Sequence, residues 1–95
     1  MPTQADRPDA PHLCFVCGLA FGDGDEPWGR EGVHPSYLIC PCCGVEFRYE
    51  DSTLESTRHF RADWQAAGMA WHEPQEQPAE WDANAQLAQV PERAR

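Results

Sequence analysis

Apolar residues follow two different regimes along this chain, and the change comes near Asp51. Before it, short apolar runs are cut by glycine and proline. "LCFVCGLAF" at 13–21 offers β-formers around a turn at Gly18, and "YLIC" followed by "GVEFRYE" at 37–50 reads as a hairpin. "FGDGDEPWGREGVHPS" between them reads as a loop-rich connection. After Asp51, Thr57, Phe60, Trp64 and Ala67 recur at helical spacing and predict a helix over 53–67. Ser52 and Glu55 suit a capping box at its start, and Gly68 a left-handed cap at its end. "MAWHEPQEQPAEW" is too proline-rich for regular structure, and Trp71 and Trp81 are expected to pin it to the domain. "DANAQLAQV" at 82–90 predicts a short helix capped by Asp82 or Asn84, with Leu87 and Val90 facing inward.

These elements fit one domain over 12–90: a β part at 12–50, a helix region at 51–70 and a tryptophan-pinned segment at 71–90. Residues 1–11, with three prolines and nothing to bury, read as a disordered tail, and 91–95 are expected to fray. The expected fold class is a small α+β domain, with β-hairpins, a C-terminal helix and a Trp/Pro-rich tail. A chain of 95 residues buries only about 60–65% of its unfolded surface, so a metal, disulfides or a partner commonly supplements the core.

The five cysteines supply that supplement. Cys14-Phe15-Val16-Cys17-Gly18 and Cys40-Pro41-Cys42-Cys43-Gly44 share the order Cys, two residues, Cys, Gly, and an apolar residue follows each glycine. The alignment pairs Cys40 with Cys43 and puts Cys42 at the place of Val16, pointing away from a metal. Glycine allows the positive φ each knuckle needs, and Pro41 favours a tight turn. Cys14, Cys17, Cys40 and Cys43 thus form a four-sulfur set suited to one Zn²⁺, and Fe is the alternative. Four protein ligands leave no position for water or substrate, so the metal is expected to be structural and the protein not an enzyme.

Other candidates are weaker. Cys42 could be a redox-sensing thiol, although an idle, half-exposed residue is the plainer expectation. His12, His34, His59 and His72 are spare ligands only. "DGDE" at 23–26 lacks the glycine and distant glutamate of a calcium loop and reads as an acidic turn. Glu46, Glu50 and Asp51 read as solvated charges, Asp51 favouring the helix dipole. Trp64 reads as core, whereas Trp28, Trp71 and Trp81 could be core or could dock a partner.

Charge narrows the partners. Sixteen acidic against seven basic residues give −9, with no lysine at all, which excludes the basic face that nucleic acid requires. No apolar run of about 18 residues and no leader pattern is present, so a soluble, cytoplasmic protein without a membrane partner is expected. The composition points to a module that presents an acidic, aromatic surface to another protein. Its rivals are an iron electron carrier and a Cys42 redox sensor.

"CFVCG", "ICPCCGVEF" with the following Glu50-Asp51, "RADWQAAGMAW" and "EWDANAQL" together resemble the small bacterial cysteine-rich CPCC-type proteins over Cys14–Val90. That resemblance implies a zinc-ribbon-like fold with metal at Cys14, Cys17, Cys40 and Cys43, and no particular activity. The two knuckles also look like those of rubredoxin, an acidic carrier that holds iron in four cysteines.

Overall fold

A computed structural model describes residues 6–95. Its first half is built from two copies of one turn. Around the first cysteine pair, Gly18 N–H donates to Cys14 O (2.8 Å), Cys14 N–H to Leu19 O (2.9 Å) and Phe21 N–H to His12 O (2.8 Å). Twenty-six residues on, Gly44 N–H donates to Cys40 O (2.9 Å), Cys40 N–H to Val45 O (2.9 Å) and Phe47 N–H to Leu38 O (3.0 Å). Gly18 and Gly44 take φ of +86° and +82°, which lets each chain reverse so that both cysteines of a pair face the same side. Phe21 and Phe47, equivalent in the two copies, meet edge-to-face with centroids 5.7 Å apart.

The expected β-hairpins do not form. Among the described residues there are two α-helices and no strand, only the isolated antiparallel bridges Leu13↔Ala20 and Ile39↔Glu46. This rules out the α+β, zinc-ribbon and rubredoxin-like architecture. Each stem diverges after one pair, and the reason is local. Next to the second bridge, Tyr37 and Arg48 enter the left-handed region (φ 63° and 93°), and Tyr49 and Glu50 N–H turn back to Glu46 O. Next to the first, Leu13 N–H turns to Ala10 O and Asp25 N–H to Gly22 O. The β-forming residues are real, but turn geometry on both sides stops the ladder.

The helix region follows expectation closely. Helix α1 spans Leu54–Ala66, and Gly68 follows it with φ 98°. Its capping box lies one residue later than predicted: Thr53 Oγ1 accepts from Ser56 N–H (2.9 Å), and Thr53 N–H donates to Ser56 Oγ (3.2 Å). Thr57 and Trp64 are buried and Phe60 half-buried, while Ala67 is exposed. Helix α2 spans Ala83–Leu87, with Asp82 as its cap. Between them Pro74–Glu76 forms one 3₁₀ turn on an exposed stretch. Trp71 and Trp81 hold its two ends, packing against each other at 5.5 Å, and Trp81 lies 6.4 Å from Trp64.

Residues 6–11 and 91–95 pack where tails were expected. Residues 1–5 of the expected disordered tail lie outside the described residues. In 6–11, Arg7 is fully buried, its guanidinium over the Phe15 ring (4.1 Å) and the Trp28 ring (4.8 Å) and 3.5 Å from Asp51. At 91–95, Glu92–Ala94 forms a 3₁₀ turn with Ala94 buried beside Phe15 and Val90. Arginines on α1 secure that end: Arg58 donates to Arg95 O and Arg93 O (both 2.7 Å), and Arg61 to Ala94 O (2.8 Å).

Candidate metal centre

The two knuckles bring their cysteines to one point inside the core. The sulfurs of Cys14, Cys17, Cys40 and Cys43 all lie within 4.8 Å of one another. Cys14 and Cys43 sulfurs are 3.8 Å apart, and Cys17 and Cys40 sulfurs 3.7 Å, so the close contacts cross between knuckles. A tetrahedron with Zn–S bonds of about 2.3 Å has edges of about 3.8 Å, so these contacts fit a single ion. The five cysteines are unbridged and all buried. The group can therefore hold a metal ion.

Charge explains what these thiols would otherwise do. Cys17 is pushed well above the ordinary thiol range, first by its hydrogen bond to Cys14, and Cys43 likewise, first by burial. Cys40 is pulled well down by hydrogen bonds from Cys14, Cys17 and Cys43. These shifts in opposite directions arise because the thiols share one buried space and hydrogen-bond to one another. A divalent cation offsets the repulsion and desolvation that oppose four thiolates. Arg61 reaches from α1 to the first knuckle, donating to Val16 O (2.6 Å) and Phe15 O, and adds positive charge on that side.

Cys42 departs from its expected half-exposed state. It is fully buried, like Val16 at the equivalent position, and is not one of the four clustered sulfurs. Gln86 on α2 donates its Nε2 to Cys42 Sγ (3.3 Å) and to Cys17 O (3.1 Å), while its Oε1 accepts from Trp81 Nε1 (2.8 Å). The side-chain hydrogen bond with Cys17, aided by that from Gln86, lowers the Cys42 pKa. Full burial denies the access that a redox-sensing thiol requires.

The remaining candidates separate cleanly. His12, His34, His59 and His72 are all exposed and outside the group. The acidic turn closes on itself, with both Glu26 carboxylate oxygens accepting from Gly24 N–H (2.9 and 3.0 Å). Asp51, expected in solvent, is fully buried and accepts from Trp28 Nε1 (2.9 Å) and Arg48 N–H (2.6 Å). Trp28, Trp64 and Trp71 are buried and Trp81 half-buried, so the tryptophans build core. Gln86 and Arg61 were not singled out in the sequence. Their polar type signals surface, and only the tertiary fold aims them inward.

No protein-family model matches the chain, and no solved structure matches it. The chain is similar to a protein of Bacillus subtilis (strain 168) described as "Uncharacterized protein YoaQ", with 28% identity over 83 residues covering 73% of this chain and 70% of that one. No described helix is long and apolar enough to cross a membrane.

Proposed function

We propose that this chain is a non-enzymatic domain that holds one structural Zn²⁺ through Cys14, Cys17, Cys40 and Cys43 and presents its surface to another protein. The observation that carries the reading is the pair of cross-knuckle sulfur contacts, 3.8 and 3.7 Å, at the length of a tetrahedral edge. When bound, the ion supplies charge neutralisation and a crosslink between residues far apart in sequence. Thiolate ligation of zinc contributes about 10–16 kcal/mol in zinc-finger peptides, which exceeds the typical net stability of a small domain. A closed four-sulfur shell leaves no vacancy for hydrolytic chemistry. Five cysteines with no disulfide among them suit a reducing compartment such as the cytoplasm.

Elemental analysis of natively purified protein is the test. One zinc per chain is expected, with loss of helical circular dichroism when a strong chelator removes it. A red protein containing one iron would assign electron transfer instead. A metal-free protein that folds as stably as the loaded one would end the reading.

A further inference from the structure

Among the described residues, the exposed large hydrophobic side chains gather in one place. Tyr37, Leu38, Ile39 and Tyr49 are 52%, 50%, 45% and 62% exposed, all on the stem of the second knuckle. The Tyr37 and Tyr49 rings lie 6.2 Å apart. Tyr37 holds a left-handed backbone, a conformation that is strained in a non-glycine residue and recurs at binding sites.

The internal repeat shows what such a stem looks like when covered. Leu13, the counterpart of Ile39, is buried with Ala10, Val90 and Ala94, and its N–H donates to Ala10 O (3.3 Å). Ile39 has neither cover. Its bridge to Glu46 lies between the bonds Cys40 N–H to Val45 O and Phe47 N–H to Leu38 O, so its own N–H and C=O face away from Glu46. Among the described residues neither group is hydrogen-bonded. Across the bridge, the outward Glu46 N–H is already taken by Glu50 Oε1 (2.8 Å). Only the 37–39 side is open to pairing.

We infer that residues 37–39 form a docking edge for an extended segment of a partner protein, added as a strand and carrying apolar side chains flanked by lysine or arginine. The inference rests on reading the chain as an interaction domain and names its surface. Strand addition satisfies the free Ile39 groups, and the four apolar side chains supply contact area. Charge selects the partner. The chain carries −9, Glu46 and Glu50 border the edge and outnumber the exposed Arg48 beside them, and Arg7, Arg58, Arg61, Arg93 and Arg95 are engaged within the fold. A second copy would bring the same negative charge, whereas a basic segment brings its complement.

The test screens zinc-loaded protein against a displayed library of short random peptides. The expected winners alternate apolar residues with lysine or arginine, and their binding weakens with salt. Leu38→Asp or Ile39→Arg should weaken them about tenfold or more, and the Ile39 amide should gain protection from hydrogen exchange in the complex. Winners without net positive charge, or winners unaffected by both substitutions, overturn the proposal. So does a concentration-dependent dimer in sedimentation that Leu38→Asp abolishes, since it assigns the edge to a second copy. Metal content and helicity are measured on each protein. Variants that keep both yet bind normally overturn the docking edge alone, whereas metal-free wild type overturns the metal reading whatever the peptides do.

Discussion

Gln86 joins α2 to the cysteine-bearing half of the chain by placing its amide nitrogen 3.3 Å from the Cys42 sulfur, 44 residues away in sequence. The same side chain accepts from Trp81 and donates to the Cys17 carbonyl, so no part of the buried amide is idle. Gln86→Ala would orphan the half-buried Trp81 N–H and loosen the tail. A loss of about 1–3 kcal/mol is expected in urea unfolding at fixed zinc, together with faster reaction of Cys42 with a thiol reagent. Unchanged stability and reactivity would show that α2 is held by other contacts.

Glycine at 18 serves two purposes that glycine at 24 does not. Both have positive φ, but a Cβ on Gly18 would collide with the Gln86 carbonyl, whereas one on Gly24 meets nothing. Gly24→Ala should therefore cost about 1 kcal/mol of backbone strain. Gly18→Ala adds the displacement of α2 and should cost about 3 kcal/mol or more. Thermal unfolding of the two variants side by side reads the difference, and equal losses would place α2 elsewhere.

The same residues mark how far the sequence could be read. Helical spacing located α1 within a residue at each end, because a strong periodic pattern bounded by caps is a local signal. The cysteine grouping was legible for a similar reason: the glycine after each pair repeats 26 residues apart, and the geometry repeats with it. The strand reading failed where the apolar runs were correct but the backbone beyond them turns away, at Tyr37 and Arg48. Thr53 and Ser52 are adjacent hydroxyls, and pattern alone does not choose between them as cap. Arg7, Asp51 and Gln86 were illegible because each is polar and its burial depends on partners distant in the chain.

The fifth cysteine separates ligand from neighbour. Serine at Cys14, Cys17, Cys40 or Cys43 should remove zinc and leave the chain largely unfolded by circular dichroism, since an alcohol does not replace a thiolate at neutral pH. Cys42→Ser should retain one zinc per chain and lose only about 1 kcal/mol, because Gln86 keeps an acceptor at Cys17 O. Zinc lost from Cys42→Ser but kept by Cys43→Ser would exchange the two roles.

Arg7 and Asp51 are fully buried 3.5 Å apart, and removing either partner leaves a charge without its counterion. Arg7→Met or Asp51→Asn should each cost about 3–5 kcal/mol, and the double variant less than their sum. Burial lowers Arg7 to about 10, and burial raises Asp51 above 3.8, with Arg7 offsetting part of that rise. A carboxyl raised in the folded state keeps its proton there after the unfolded chain has lost it. Stability from this group is therefore fully present below 3.8 and lost as pH rises through the higher folded value. Chemical unfolding over the part of that window in which both proteins keep their zinc should show wild type gaining on the double variant as the solution is acidified. A wild type that instead loses ground on acidification would mean that Arg7 outweighs burial and holds Asp51 below its ordinary value.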